Sequence, residues 1–299
     1  MEPGYLTLFN TGELASRIKS MLEILMECRL CPRQCKVDRT RGKTGVCKAP
    51  GQLFVSSATP HFGEEAPLVG LHGSGTIFLT HCNLRCVFCQ NYDISHQGLG
   101  SPVSSNELAG IMINLQRLGC HNINFVTPTH YAPQILESLP EAVRLGLRVP
   151  LVWNCGGYES VEVLRLLDGI VDIYMPDIKF GAPGPGKKYC SVQDYPEAAF
   201  SAVKEMHRQV GDLQIDEQGI AARGLLVRHL VIPGGLAYTG EVVRFLADEI
   251  SPHTYINIMN QYRPCYRASK FPEISKPVNS SEFSSAIKIA RDSGLYRGF

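Results

Sequence analysis

The sequence has no surplus of charge of either sign. Lys and Arg total 29 and Asp and Glu total 28, which gives a formal net charge of +1. Proteins that attract nucleic acid or an anionic membrane through their overall field carry a clear positive excess. The charge balance therefore predicts neither nucleic acid nor a membrane as a partner.

Long apolar runs are also absent. Residues 1–28 lack the charged front, the unbroken apolar stretch and the small-residue cleavage site of an export signal, and no later stretch could span a bilayer. We therefore expect a cytoplasmic protein. With 299 residues, of which 44% are hydrophobic, the chain can bury one large core.

Cysteine, by contrast, is abundant, with 11 residues. Because a reducing cytosol disfavours a disulfide framework, metal ligation is the better explanation for this number. Seven of the cysteines fall into two tight groups. The other four are predicted to be ordinary buried residues, namely Cys120, Cys155, Cys190 and Cys265.

From Thr76 onward, short apolar runs alternate with helical patterns. Strands are predicted at 76–80, 122–127, 149–154, 170–175, 225–232 and 255–259. Helices are predicted at 12–27, 133–145, 160–167, 195–209, 240–249 and 281–291, and another begins at Ser104, which forms a capping box with Glu107. Right-handed crossovers then give a parallel sheet, which is either a partial barrel or an open doubly wound sheet.

The sequence CNLRCVFCQN follows the first of these strands and supplies Cys82, Cys86 and Cys89. This spacing lets a short loop give thiolates to three irons of a 4Fe-4S cluster and leaves the fourth iron without a protein ligand. Structural zinc would need a fourth ligand, for which His81 and His96 are the only near candidates. The motif therefore favours a cluster with one open iron.

These residues resemble the cluster motif of the radical S-adenosylmethionine (SAM) superfamily. The resemblance implies that the open iron binds SAM, and that reductive cleavage of SAM gives a 5′-deoxyadenosyl radical that abstracts hydrogen. It places Phe88 near the adenine. It also implies an α/β fold, a partial (βα)6 TIM-type barrel over 71–299, preceded by a small Cys-rich metal-binding segment over 1–70.

Polar residues lie in or just after the predicted strands, at the edge where parallel sheets bind ligands. Asp177 and Lys179 share parity, so both can point inward, where they would neutralise one another or hold a zwitterionic ligand. Arg228 and His229 face opposite ways, and parity does not tell which of them faces the site. The candidate cofactor contacts in this set are Thr127, Thr129, Asn154, Asp177, Lys179, Arg228 and Gln261.

A closer resemblance is to the activating enzymes of glycyl radical enzymes, such as pyruvate formate-lyase activase, and to related proteins of unassigned substrate. It rests on CRLCPRQC, CNLRCVFCQNYDIS, NINFVTPTHY, DGIVDIYMPDIKF, RHLVIPGG and NIMNQYRP. It implies that Asp177 and Lys179 contact SAM, that the substrate is a protein or peptide, and that the electron donor is of the flavodoxin or ferredoxin type.

Three positions depart from the activase pattern. Thr127-Pro128-Thr129 stands in place of a Gly-Gly-Glu turn, so hydroxyls or backbone carbonyls must receive the amino group of SAM. Asn154 replaces an aspartate, and Tyr262 replaces a histidine. The cluster motif itself is unchanged.

A second group of thiols lies near the start of the chain, at Cys28, Cys31, Cys35 and Cys47. Four soft ligands suit structural zinc or a second iron-sulfur cluster that relays electrons to the first, and the spacing does not choose between them. The alternative to a metal site is that these are core cysteines without a ligand role, although the residues between them are polar and basic rather than apolar.

The sequence thus predicts a radical SAM enzyme, an oxidoreductase like the activases, that abstracts hydrogen from a protein or peptide. Two alternatives remain open at this point. One is a radical SAM enzyme with a small-molecule substrate, and the other is an iron-sulfur or zinc electron-transfer module without turnover.

Overall fold

The computed structural model describes residues 2–299. Its strands are β1 (Leu53–His61), β2 (Ser74–Leu79), β3 (Ser101–Val103), β4 (Ile123–Val126), β5 (Leu151–Cys155), β6 (Ile173–Pro176), β7 (Gln214–Ile215), β8 (Ala221–Leu230) and β9 (Tyr255–Met259). Its helices are α1 (Gly4–Thr11), α2 (Glu13–Glu23), α3 (Ala66–Val69), α4 (Tyr92–Ser95), α5 (Ser105–Arg117), α6 (Ala132–Arg144), α7 (Val161–Leu166), α8 (Pro183–Cys190), α9 (Tyr195–Val210), α10 (Thr239–Phe245) and α11 (Ser280–Asp292).

The strands form one sheet in the order β3-β1-β2-β4-β5-β6-β8-β7, and β9 also pairs with β8. The neighbours β2-β4, β4-β5, β5-β6, β6-β8 and β8-β9 are all parallel. These six parallel strands are the six that the sequence predicts. Because the described strands do not close on themselves, the α/β fold is a partial barrel rather than a complete one.

Strand β1 extends the sheet in a way that the sequence did not predict. It runs antiparallel to β2, with Ser57 opposite Phe78 and His61 opposite Ser74. The predicted boundary between the Cys-rich segment (1–70) and the barrel (71–299) therefore lies inside the connection from β1 to β2.

The helices pack against the sheet through apolar faces. Helix α5 begins with the predicted capping box, in which the Ser104 side chain accepts from the Glu107 backbone and the Glu107 carboxylate accepts from the Ser104 backbone. Near the start of the chain, Tyr5 and Leu14 are buried in the same hydrophobic core as Phe125 of β4. The first helices therefore share a core with the barrel.

Helix α3 fills the inside of the barrel at the end where the parallel strands begin. Leu68 of this helix is fully buried and packs against apolar residues on the inner face of the sheet. Those neighbours include Val152 of β5, Met175 of β6 and Leu226 of β8. Further along the same strands, the inward positions become polar.

Arg39 attaches the Cys-rich segment to the barrel. Its guanidinium is buried and donates from Nη1 to the carbonyl of His130 at 2.7 Å and from Nη2 to the carbonyl of Pro50 at 2.6 Å. The charge also lies over the ring of Tyr131, 5.9 Å from its centroid. Because the cation is buried with these partners, the segment has a defined position against the sheet.

Glu159 forms a buried link between the loops that follow β4 and β5. Its carboxylate accepts from the hydroxyl of Thr129 and lies 3.5 Å from the indole nitrogen of Trp153. Burial raises the pKa of Glu159 to about 7, and the hydrogen bonds from Thr129 and Trp153 only partly oppose this rise.

Replacing Leu68 with Ala is expected to lower the free energy of unfolding by about 2–5 kcal/mol, because it leaves a cavity inside the barrel. Leu71, three residues later, is 87% exposed, so Leu71→Ala should change it by less than about 0.5 kcal/mol. Urea unfolding of both variants measures the difference. Equal effects would contradict the position of α3.

The raised pKa of Glu159 predicts a pH dependence of stability. The folded chain holds this proton more tightly than the unfolded chain, so the contribution is complete below pH 4.5 and is lost as the pH rises through about 7. Between these values, wild type should lose up to about 3 kcal/mol of unfolding free energy relative to Glu159→Gln. Denaturant titrations across this range test it, with the exposed Glu217→Gln as a control that should follow wild type.

Candidate functional site

A cavity of about 390 Å³ opens where the parallel strands end, a size that suits a small ligand. Three thiols of the loop after β2 line it together with polar side chains from β5, β8 and the segment after β6. The predicted site residues among its lining are Cys82, Cys86, Phe88, Cys89, Thr127, Asn154, Asp177, Lys179, Arg228 and Gln261.

The thiol loop begins with a reversal of the chain at His81, whose φ of +67° is left-handed. Cys82 accepts a hydrogen bond from the Leu84 backbone at 3.4 Å, and Cys89 lies 3.1 Å from the Ser95 hydroxyl. The Cys86 thiol lies 3.1 Å from the Cys190 thiol. All three loop cysteines are free thiols facing one cavity.

The donor set fits a 4Fe-4S cluster. Three thiolates from one short loop are the ligand set of a 4Fe-4S cluster with one open iron, whereas structural zinc takes four protein ligands. Among residues 2–299, no three His, Cys, Asp or Glu side chains are gathered as ligands of a single metal ion, and this holds for both groups of cysteines. Burial raises the pKa of the Cys82 thiol, and the nearby Lys179 ammonium opposes that rise. Positive charge is therefore available next to the thiolates that a cluster requires.

Asp177 is the charged centre of the cavity. One carboxylate oxygen accepts from Arg228 Nε at 2.7 Å, and the other accepts from Lys179 Nζ at 2.7 Å. Burial alone would raise the pKa of Asp177, but the two positive charges outweigh it and hold the pKa at about 2. Asp177 and Lys179 therefore point inward as an ion pair, as their parity predicted.

The backbone around Asp177 is held by a buried hydroxyl. Tyr195 accepts from the amide of Lys179 at 2.8 Å, and its hydroxyl lies 2.9 Å from the carbonyls of Gly156 and Asp177. The amide of Asp177 also donates to the carbonyl of Cys155 at 2.8 Å. These bonds fix the chain at the point where it leaves β6.

Arg228, rather than His229, faces the cavity. Its guanidinium donates to Asp177, to Asn154 Oδ1 at 2.7 Å and to Glu64 Oε2 at 3.2 Å. His229 points away from it and lies 2.7 Å from the carbonyl of Ile178. The structure therefore shows which of the two residues faces the site, a choice that strand parity left open.

The remaining predicted residues occupy different positions. Phe88 is buried edge-on to Phe180 and lies 5.9 Å from the ring of Tyr262. Thr127 has a φ of +61° and lines the cavity. Thr129 is not part of the lining, because its hydroxyl is turned towards Glu159.

Sequence reasoning missed Glu64, which lines the cavity from the connection between β1 and β2, and the contact of Cys190 with Cys86. Glu64 belongs to no periodic pattern that would indicate an inward side chain. Cys190 is buried, as predicted of the single cysteines, but no spacing relates it to the thiol loop.

The four N-terminal cysteines lie in a segment that touches the thiol loop. The Val46 amide donates to Cys35 Sγ and the Ala49 amide to Cys47 Sγ, both at 3.5 Å. Arg33, between Cys31 and Cys35, donates to the carbonyl of Asn83 at 2.6 Å and also bonds the carbonyl of Cys190 at 3.3 Å. The segment that carries the second group of cysteines therefore packs against the thiol loop.

Comparison with known proteins agrees with the thiol motif. Residues 76–215 match the family described as the radical SAM superfamily. The chain is 32% identical to an uncharacterized protein of Methanocaldococcus jannaschii over 289 residues, which is 93% of this chain and 78% of that protein.

A solved structure of TYW1 with a lysine-pyruvate adduct bound is a distant likeness, with a TM-score of 0.47, 12% identity and 74% of each chain covered. Of the helices within residues 2–299, none has the length and apolar character needed to cross a membrane.

On the superfamily match and the extended similarity to its relative, the chain belongs to the radical SAM superfamily.

Proposed function

We propose that the protein is a radical SAM enzyme that abstracts hydrogen from a protein or peptide substrate, in the manner of the glycyl radical enzyme activases. The observation that carries the proposal is the convergence of Cys82, Cys86 and Cys89 with the Asp177–Lys179 pair on one cavity. A cluster with SAM supplies reductive cleavage of SAM and a 5′-deoxyadenosyl radical.

Each cavity residue that the sequence predicts then has a proposed task. The three thiols hold the cluster, and Asp177 and Lys179 bind SAM, as their resemblance to the activase residues implies. Phe88 offers an apolar face to the adenine. Thr127 provides a hydroxyl and a carbonyl for the amino group, while Asn154, Arg228 and Gln261 complete the polar wall with hydrogen-bonding groups.

Two features support a polypeptide substrate. The activase-like motifs extend over most of the chain, and beyond the bridge of Tyr255 to Arg297 the sheet leaves β9 paired on one side only, to β8. An open edge beside the cavity gives a peptide a route to it. The Cys-rich segment, held to the thiol loop by Arg33, is the proposed site of zinc or of a second cluster. A flavodoxin- or ferredoxin-type protein is the proposed electron donor.

A small-molecule substrate is the second candidate, and one observation favours it. The connection between β1 and β2 crosses towards the open edge, where Asn257 of β9 donates to Glu65 Oε1 at 2.8 Å. This segment narrows the opening on one side and makes the cavity more enclosed.

Replacing Cys82, Cys86 or Cys89 with Ala should abolish cluster binding and formation of 5′-deoxyadenosine. Loss of a direct ligand should exceed the roughly 10- to 100-fold cost of losing an outer partner. Anaerobic reconstitution, iron analysis and chromatography of the products measure both effects. Cys120→Ala is the matched control, since Cys120 is buried but does not line the cavity. A Cys86→Ala variant that still makes 5′-deoxyadenosine would refute the proposal.

Metal analysis of anaerobically purified protein tests the N-terminal site. About four irons with one zinc indicate zinc, and about eight irons without zinc indicate a second cluster. The double variant Cys31→Ser, Cys35→Ser should lose the zinc or about four irons. Four irons without zinc in wild type would contradict a metal site at these cysteines.

A further inference from the structure

The cavity contains a carboxylate that the proposed chemistry does not use. Glu64 comes from the connection between β1 and β2, outside the residues 76–215 that match the superfamily. Its side chain is only 7% exposed, yet it lines the cavity, beside His61 and Gly63. A buried carboxylate that faces a cavity is available to a ligand.

The hydrogen bonds of residues 2–299 engage only one oxygen of Glu64. Oε2 accepts from Arg228 Nη1 at 3.2 Å, and Oε1 has no hydrogen-bond partner among them. All three nitrogens of Arg228 are already engaged, because Nη1 is bound to Glu64, Nε to Asp177 and Nη2 to Asn154, which leaves it two free N–H groups. The protein therefore leaves part of the hydrogen-bonding capacity of Glu64 directed at the cavity.

The neighbouring carboxylate increases the negative charge at this point. Glu65 accepts from Asn257 through Oε1, but its Oε2 is buried without a hydrogen bond, 4.0 Å from Arg228 Nη1. The group thus has three carboxylates, on Glu64, Glu65 and Asp177, against two cations, on Lys179 and Arg228, with the imidazole of His61 beside Glu64. Burial raises the pKa of Glu64, and the charge of Arg228 opposes that rise, so a further cation beside Glu64 would favour its ionised form. Burying an uncompensated charge is costly, so one more positive charge at this point would be stabilising.

We infer that Glu64 binds a protonated primary amine of the substrate, and the inference rests on the proposed function. An ammonium group has three donors and no acceptor, so it complements the free oxygen of Glu64 and the excess negative charge. A carboxylate or phosphate would meet repulsion at the same place. The amine belongs to a lysine side chain of a polypeptide or to a small free amine.

The experiment uses the reconstituted protein with its cluster, saturated with SAM and kept unreduced. Binding of n-butylamine, of its neutral analogue butyramide and of the anion butyrate is followed by ligand-observed NMR. In wild type, n-butylamine should bind about tenfold or more tightly than butyramide, and butyrate should not bind. Failure of this order, or binding of n-butylamine only in a parallel sample without SAM, would overturn the inference.

Two variants distinguish a direct contact between Glu64 and the ammonium group from a long-range effect of negative charge. Glu64→Gln should weaken n-butylamine binding about tenfold or more, whereas Glu65→Gln, which removes the same charge away from the cavity, should weaken it no more than about threefold. Thermal unfolding checks that both variants fold. Equal weakening would mean that Glu64 acts only through the field, and would overturn the inference.

A short peptide with one central lysine, compared with n-butylamine, identifies the source of the amine. Tighter binding of the peptide supports a polypeptide substrate, and tighter binding of the free amine supports a small one, with Glu64 required in both. The SAM-cleavage assay is separate. If wild type fails to cleave SAM but binds amines, the proposed function fails; if it cleaves SAM but shows no preference for amines, only the role of Glu64 fails.

Discussion

The cavity is organised around one buried carboxylate, that of Asp177. Its two oxygens bind Arg228 and Lys179, and Arg228 in turn binds Asn154 of β5 and Glu64 of the β1–β2 connection. Without the carboxylate, the buried Lys179 would lose the anion to which it is bonded and Arg228 would keep only Glu64 as a hydrogen-bonded anion, and proteins avoid burying a charge without compensation. This one ion pair network therefore determines how the strand ends, the added N-terminal segment and the thiol loop meet.

Lys179 carries the influence of Asp177 to the cysteines. Its charge opposes the effect of burial on the pKa of Cys82, Cys86 and Cys89. Burial protects such a site from water but favours neutral thiols, whereas cluster binding needs thiolates. A single ammonium held in place by Asp177 helps to reconcile these two requirements. The same pair is available to the charged groups of SAM.

The N-terminal part of the chain shapes this centre from two directions. Arg33 bonds the thiol loop at Asn83, on the side of the Cys-rich segment. In the connection between β1 and β2, Leu68 fills the inside of the barrel at the end where the parallel strands begin, and Glu64 faces the cavity at the other end. The superfamily core supplies the thiols, and the added segment supplies the carboxylate that we assign to the substrate.

The sequence predicts the parallel strands well because each is a short apolar run bounded by turns. Tertiary contacts do not override this local pattern. It predicts the thiol loop because three cysteines lie within eight residues of sequence. It does not predict β1, whose edge pairing to β2 is set by tertiary contacts rather than by a strong alternating pattern. Parity places Arg228 and His229 on opposite faces but cannot choose between them without the sheet. Glu64 is missed for the same reason, since its position depends on a connection that folds back into the barrel.

Cys82, Cys86 and Cys89 are proposed to hold a 4Fe-4S cluster whose fourth iron is open to SAM. The electron paramagnetic resonance spectrum of the reduced cluster, recorded with and without SAM, tests this arrangement. We expect SAM to change the g values, because it binds the open iron. A 4Fe-4S signal that SAM leaves unchanged, together with evidence of a fourth protein ligand, would contradict it.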